Sequence, residues 1–331
     1  MWLVTGATGH IGNVLVRKLL ERGEKVRALI LPGESREPLK GLDVEAVEGD
    51  VLNLDSLFEP LRGVKGIFHL AGVISIMPGP DPFVRKVNVE GTKNVLKAAR
   101  ETGVKKMVYT SSIHAIKRVE DGVIDESVPY DMDNPYGAYD RSKAEATLEV
   151  LDAAQAGLEA VVVCPTGVIG PHDYRGSMMG SLIHDAAEAK PSLYVDGAYN
   201  FVDVRDVADG LIAAAEKGKR GESYILSGNN ISVRYLLETI REITGRGFFQ
   251  MKVPFDLAKF FALFTPMYYR LAHATPRFTP YSLEVLRSNS NISHAKATRE
   301  LGYKPRSIFE TLSDTVKWFR EKREQRLENR E

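Results

Sequence analysis

Tyr139 and Lys143 stand four residues apart in the run Asn134-Pro135-Tyr136-Gly137-Ala138-Tyr139-Asp140-Arg141-Ser142-Lys143. In a helix that spacing puts both side chains on one face, a turn apart. A lysine ammonium held beside a phenol favours the phenolate, lowers the tyrosine pKa and makes the side chain a usable proton donor or acceptor. Asn134 is the expected helix cap, and Pro135 suits a first helical position. Tyr136, seven residues from Lys143, is less well placed. Alone, the pattern also describes an ordinary amphipathic surface helix; the start of the chain decides between the two.

The chain opens on a short apolar run, Trp2-Leu3-Val4, followed by Thr5-Gly6-Ala7-Thr8-Gly9-His10-Ile11-Gly12. A helical pattern fills about 11–22 and stops at Gly23, and a second apolar run fills 26–31 before Pro32-Gly33. Strand, glycine turn, helix, strand is the order a dinucleotide-binding unit requires. The glycines permit a tight turn and close backbone approach to a pyrophosphate. The helix start supplies unpaired N–H groups and the positive end of its dipole. The alternation continues with strands over 44–48, 65–70, 106–110 and 160–164 and a long helix over 82–100. Apolar strands between helices predict an α/β fold whose parallel sheet is covered on both faces, with ligands at the carboxyl ends of the strands. Gly6, Gly72, Ser112 and Pro165 all fall at such ends, so four remote segments converge on one crevice.

With 331 residues, 44% hydrophobic and 27% charged, the chain has ample core for one large or two joined domains. Its formal charge of zero gives no bulk attraction to nucleic acid or acidic membranes. One cysteine, Cys164, rules out an intramolecular disulfide framework and fits a reducing compartment. No signal-peptide pattern opens the chain, and no apolar run approaches the roughly 20 residues of a membrane span. A cytoplasmic location is therefore expected. Cys164 has no Cys/His/acid set around it and reads as a small buried residue, and the seven histidines show no ligand spacing, so no metal is expected.

The motifs that accumulate are Thr5-Gly6-x-x-Gly9-x-x-Gly12, Gly49-Asp50-Val51, His69-Leu70-Ala71-Gly72, Asn88-Val89-Glu90-Gly91-Thr92, Tyr109-Thr110-Ser111-Ser112 and Tyr139-x-x-x-Lys143. Pro165-Thr166-Gly167-Val168-Ile169-Gly170-Pro171 and Phe201-Val202-Asp203-Val204-Arg205-Asp206-Val207 extend them. As an ordered set they resemble the extended short-chain dehydrogenases/reductases, in the broad NAD-dependent epimerase/dehydratase family. The nearer likeness is to the branch of dihydroflavonol reductases and 3β-hydroxysteroid dehydrogenases. It runs to about residue 300 and is weakest over 248–279.

The resemblance implies a Rossmann doubly wound parallel sheet over 1–165 plus about 199–226. A smaller, mainly helical C-terminal substrate domain would take about 166–198 plus 227–331. It implies that Tyr139 exchanges a proton with the substrate's carbonyl or hydroxyl oxygen while hydride passes to or from nicotinamide. Lys143 would bind the nicotinamide ribose and Ser112 the substrate oxygen; Ser111 is the alternative hydroxyl, turned the other way by strand alternation. Gly6, Thr8, Gly9, His10, Ile11 and Gly12 form the expected phosphate loop, with His10 facing solvent or phosphate. Asp50, with the Val51 backbone, would take the adenine amino group. Leu70, Ala71 and Gly72 would admit the cofactor backbone, and Pro165, Thr166 and Val168 would border the carboxamide. Asn88 would order backbone or a water nearby. A homodimer through the helices near 82–100 and 135–156 is expected.

Cofactor choice turns on the end of the second strand, where an acid favours NAD and an arginine a 2′-phosphate. Leu31 stands there and is neither; Ser35 and Arg36, which follow, tilt the reading to NADP over NAD. Ile113 and His114 replace the Asp-Glu pair of sugar-nucleotide dehydratases, and Cys164 replaces the asparagine many epimerases carry. Reversible carbonyl/alcohol redox chemistry on a small hydrophobic substrate remains. A nucleotide-sugar epimerase is the alternative, and a cofactor-binding sensor the alternative of another class. His114 reads first as a structural loop histidine, with no second ligand or base partner evident nearby, and second as a hydrogen-bonding group pointing into the substrate pocket. Aromatic residues crowd the stretch 255–269, for which packing of the smaller domain or a subunit contact stands first, a lid over an apolar pocket second and peripheral membrane contact last. A docked helix is expected over 308–320, on Ile308, Leu312, Val316 and Phe319, followed by a frayed charged tail over 321–331.

Overall fold

The computed structural model describes residues 1–247, 249–272 and 278–328. The first elements are β1 (Trp2–Thr5), α1 (His10–Glu21), β2 (Val26–Ile30), β3 (Glu45–Glu48), α2 (Asp55–Leu61) and β4 (Gly66–His69). Next come α3 (Pro82–Arg85), a π-helical turn over Lys86–Glu90, α4 (Gly91–Glu101), β5 (Lys106–Thr110), α5 (Ala138–Gln155) and β6 (Glu159–Pro165). The chain continues through β7 (Gly167–Ile169), α6 (Met178–Ala187), β8 (Ser192–Val195), β9 (Ala198–Asp203), α7 (Val204–Lys217) and β10 (Ser223–Leu226). It ends with β11 (Asn229–Ser232), α8 (Val233–Thr244), β12 (Gln250–Val253), α9 (Phe255–Ala262), α10 (Thr265–Ala272), α11 (Pro280–Arg287), α12 (Ala295–Leu301) and α13 (Ile308–Glu328).

Seven parallel strands form the main sheet in the order β10-β6-β5-β4-β1-β2-β3. The reversal of strand order beside β1 is where a doubly wound sheet opens a crevice at its carboxyl edge. Strand alternation feeds both faces: Val108 of β5 packs with Leu15 of α1 and Leu211 of α7. Met107 and Tyr109 pack instead with Val95 of α4 and Val150 of α5. A three-stranded sheet, β11-β9-β7, and a two-stranded ribbon, β12-β8, lie outside it. A separate cluster of Ile183, Leu236, Ile240, Leu312 and Val316 binds α6, α8 and α13 together.

Local chemistry explains most boundaries. Ser177, Asp203, Ser232 and Thr279 cap α6, α7, α8 and α11 through their side-chain oxygens. Gly245 and Gly302 end α8 and α12 in left-handed backbone, at φ 65° and 75°.

Three boundaries differ from the sequence reading. Asn134 does not cap the tyrosine helix: its Oδ1 accepts from the Tyr136 N–H at 3.1 Å in a local turn, and α5 starts at Ala138 with Gly137 at the cap position. The helix over 82–100 is broken by a π turn around buried Asn88. Helix α13 runs on to Glu328, through most of the expected tail; residues 329–331 lie outside the described residues.

The C-terminal region is locked to α7 by charge. Arg306 donates from its backbone N and from Nε to the two Asp206 oxygens, both at 2.8 Å, and lies 3.8 Å from Asp203. Asp203 also holds Arg205, at 2.8 Å. Burial raises the Asp206 pKa, so the carboxylate depends on Arg306 to stay charged. Arg306→Met is expected to cost about 3 kcal/mol in urea unfolding, the low end for breaking a buried pair. Asp206→Asn in that background should recover part of the loss.

Candidate active site

The glycine turn is built by steric exclusion. Gly6 has φ 67°, and a Cβ there would lie 2.8 Å from the Leu70 carbonyl carbon. A Cβ on Gly12 would overlap the Gly6 carbonyl. Helix α1 then begins at His10 with no side-chain cap and no acid in its first turn. Its open N–H groups and uncompensated dipole fit an anionic diphosphate, and the glycines let the turn, α1 and the Leu70 backbone pack this closely beneath it. At the end of β5, the Thr110 hydroxyl is buried without a partner among the described residues. An unpaired polar group here also fits a crevice that takes a polar ligand.

A hydrogen-bonded chain ties this turn to the tyrosine helix. Thr5 Oγ1 accepts from the Ala71 N–H at 3.1 Å and meets His69 Nδ1 at 2.7 Å. His69 Nε2 lies 3.0 Å from Thr92 Oγ1, which donates to the Asn88 carbonyl at 2.6 Å. With Thr92 donating onward, His69 is the Nε2–H tautomer and accepts from Thr5. Burial pushes the His69 pKa down to about 3, which keeps the ring neutral. The Asn88 side chain accepts from the Val73 N–H at 2.7 Å and donates to Val73 O and Ser142 Oγ, both at 2.9 Å. Ser142 finally donates to the Tyr139 carbonyl at 2.8 Å. Asn88 thus holds backbone in place with all its polar atoms.

Ser112 and Tyr139 interact directly, while Ser111 faces the core, 2.6 Å from Thr147 Oγ1. Lys143 is buried, and its Nζ donates to the Thr110 carbonyl at 2.6 Å and Tyr109 Oη at 2.9 Å. This corrects the expected ammonium–phenol pair. Burial raises the Tyr139 pKa to about 12, with the Ser112 hydrogen bond opposing it, and burial lowers Lys143 to about 7. Helical spacing put the two on one face, but Lys143 spends its hydrogen bonds on the strand beside it. Cys164 is buried with its thiol raised to about 11 by burial, as an inert core residue would be.

His114 is a structural histidine, the reading the sequence favoured, but it has partners that the sequence did not show. Tyr199 Oη lies 2.7 Å from its Nε2 and Tyr281 Oη 3.2 Å from its Nδ1. Tyr281 donates to buried Asp140 at 2.6 Å, and Arg118 lies 3.3 Å from the same carboxylate. Tyr281 therefore accepts from His114 Nδ1–H, and Tyr199 donates to Nε2. The ring meets Tyr139 edge-on with centroids 6.3 Å apart. Tyr199 and Tyr281 come from β9 and α11, so no local pattern marked them.

The remaining predicted residues are scattered around the crevice. His10 is half-buried, with its Nε2 2.9 Å from the Pro171 carbonyl. Thr8 Oγ1 accepts from Arg175 at 2.8 Å, and Arg175 also pairs with Glu34, neither of which the sequence singled out for this place. Arg36 is exposed and paired to Glu48 at 2.9 Å, while Ser35 Oγ accepts from Glu37 N. Asp50 Oδ1 accepts from Leu52 N at 2.8 Å, and buried Val51 packs against Gly91. Gly72 faces Asn88, where a Cβ would sit 3.0 Å from Oδ1. Pro165 ends β6, Thr166 Oγ1 meets Asn200 Oδ1 at 2.9 Å, and Val168 pairs with Val202 in β7. Among the described residues no group of His, Cys, Asp and Glu could hold a metal, and no helix is long and apolar enough to cross a membrane.

Known proteins resemble this chain in sequence and fold. Residues 2–227 match the model of the NAD dependent epimerase/dehydratase family. The chain is 37% identical over 322 residues to the sterol demethylase protein B of Methylococcus capsulatus, covering 97% of this chain and 98% of that protein. It is 28% identical to a Mycobacterium tuberculosis 3 beta-hydroxysteroid dehydrogenase/Delta 5-->4-isomerase, covering 92% of this chain and 85% of the other. A Thermotoga maritima UDP-glucose 4-epimerase solved with UDP-glucose superposes with a TM-score of 0.79 at 23% identity, over 97% of this chain and 99% of that one, a likeness of fold.

A Lys143 pKa near 7 has a signed consequence for stability. Below about pH 7 the lysine is charged both folded and unfolded, so the full burial penalty applies. Between there and its unfolded value near 10.5 only the unfolded chain holds the proton, and stability rises with pH. Without added cofactor, Lys143→Met should melt above the wild type at pH 6. The gap should shrink steadily as pH climbs toward 10; a gap independent of pH contradicts the assignment.

Proposed function

The chain belongs to the NAD dependent epimerase/dehydratase family and is an NAD(P)-dependent oxidoreductase of the extended short-chain type, and from that premise we propose that it interconverts a carbonyl and an alcohol on a small hydrophobic substrate. The observation that carries this reading is the Ser112 hydroxyl against the Tyr139 phenol, with buried Lys143 held on the Thr110 carbonyl at the end of β5 and an uncapped α1 following the glycine turn. A bound nicotinamide dinucleotide supplies the hydride donor or acceptor. Gly6, Gly9 and Gly12 form the tight turn that brings the first N–H groups of α1 to where they would hold its diphosphate.

Ser112 orients the substrate oxygen and stabilises the negative charge that develops on it. Tyr139, protonated at neutral pH with its pKa near 12, gives its proton to that oxygen in reduction. In the reverse sense the phenolate takes the alcohol proton, a state that positive charge in the crevice favours. Lys143 contributes that charge when protonated and offers its remaining N–H to a ribose hydroxyl. The His114–Tyr281–Asp140 chain holds the far wall against the Tyr139 ring.

NADP remains our preferred cofactor, with NAD the alternative. Arg36 and Arg175 both lie near the end of β2 and suit a 2′-phosphate, whereas Glu34 suits ribose hydroxyls. The sterol and steroid names of the relatives support a hydrophobic substrate. A homodimer through α4 and α5 belongs to the same reading.

The nucleotide-sugar epimerase is disfavoured because buried Cys164 stands before Pro165, where many epimerases carry an asparagine. A panel of ketones, aldehydes and secondary alcohols, steroids and flavonoids included, should show turnover with NADPH or NADH. Tyr139→Phe should lower kcat by about 10²–10⁴ with cofactor affinity within a factor of two. Turnover of a nucleotide sugar without net change in NAD(P)H would overturn the reading.

A further inference from the structure

Helices α9 and α10 are built inside out. Leu257, Phe260, Phe261, Phe264, Met267, Tyr268 and Leu271 follow the spacing i, i+3, i+4, i+7, i+10, i+11, i+14, which normally marks a core-facing stripe. Here the stripe faces solvent. Phe260, Phe261, Phe264, Met267 and Tyr268 are each 54–63% exposed, and Leu271 is 76% exposed. Only the small residues Ala258 and Ala262 of these helices are buried, so the expectation that the aromatics pack the smaller domain is overturned. Phe255 packs inward, in the cluster with Val195 and Leu283, and half-buried Tyr269 accepts from the Phe278 N–H at 3.2 Å. The ribbon that leads into α9 continues the pattern: Leu193 and Met251 are register partners across β8 and β12, and both are exposed.

We propose that this hairpin is a peripheral anchor for an anionic lipid surface, which takes the aromatic stripe between its headgroups. The charges choose that occupant. Between residues 249 and 272 the chain carries Lys252, Lys259 and Arg270 against the single acid Asp256. Lys252 is held by Asp196 at 2.6 Å, which leaves Lys259 and Arg270 as the exposed cations beside the apolar residues. A second copy of the chain docked on this face would bring these cations toward their own kind. An anionic headgroup layer answers them, and acyl chains accept aromatic side chains without a shaped pocket. Phe, Tyr and Leu on one side with basic residues alongside is the composition of helices that lie in a membrane interface. The inference stands on this surface alone and does not rest on the substrate class above.

The full chain is mixed with vesicles of phosphatidylcholine alone, or of phosphatidylcholine with one-third phosphatidylglycerol, and floated on a sucrose gradient. The expected result is flotation with the anionic vesicles, roughly tenfold tighter than with the neutral ones for two unpaired cations. Phe260→Ser/Phe264→Ser should weaken that binding at least tenfold while its melting temperature stays within a few degrees of the wild type, since both side chains are exposed. Phe264→Trp should blue-shift its emission on the anionic vesicles. Wild-type protein left at the bottom of both gradients overturns the proposal, as does equal binding of the double variant or equal affinity for the two lipids. Concentration-dependent dimerisation that the double variant abolishes, without vesicle binding, assigns the surface to a second copy and overturns it too.

Discussion

The carboxyl edge of the sheet is held together by a run of buried hydrogen bonds from Thr5 to the Tyr139 carbonyl. Each link is short: Thr5 to His69 at 2.7 Å, His69 to Thr92 at 3.0 Å, Thr92 to the Asn88 carbonyl at 2.6 Å, Asn88 to Ser142 at 2.9 Å and Ser142 to Tyr139 at 2.8 Å. The run crosses β1, β4, the π turn and α5. The glycine turn and the backbone of the Tyr139 helix are therefore tied into one hydrogen-bonded frame. Because the side chains of Thr5, His69, Thr92, Asn88 and Ser142 are all buried, losing one leaves the next donor or acceptor unpaired in a low-dielectric interior, which costs more than the bond itself. His69 fits the run only as a neutral ring, and its burial enforces that.

A second set of contacts closes the crevice from the other side. His114 joins Tyr199 of β9, Tyr281 of α11 and Asp140 of α5, so segments from beyond the main sheet reach the ring of Tyr139. At the far end, Arg175 lies across Thr8 and Glu34, and His10 and Asn13 hold the carbonyls of Pro171 and His172. The loop after β7 is thus fastened to the glycine turn. The segments outside the main sheet and the carboxyl ends of its strands thus share one hydrogen-bonded wall.

Charge inside that wall is set by burial. Lys143 and Tyr139 are both pushed toward their neutral forms, Lys143 down to about 7 and Tyr139 up to about 12. Neutral partners are the inexpensive state of a closed apolar site, and a charged ligand would change that balance for both at once. The exposed aromatics of α9 and α10 obey the same physics in reverse. Apolar surface left in water is a cost that persists only where something else removes it from water.

Periodicity and turn chemistry were enough to read the parallel α/β sheet, the glycine turn and the strand-end serines from the sequence, because those signals are local. Tyr139 and Lys143 share a face for the same reason: four residues of helix make one turn wherever the helix lies. Which neighbours those side chains bond is not local. Lys143 turned to Thr110 and Tyr109, Asn134 folded back on its own turn, and His114 found partners 85 and 167 residues away. The 257–271 stripe carries the period of a core-facing helix; only the packing of Ala258 and Ala262 against the body decided that it points outward. Sequence spacing defines a face, and tertiary contact alone decides what that face meets.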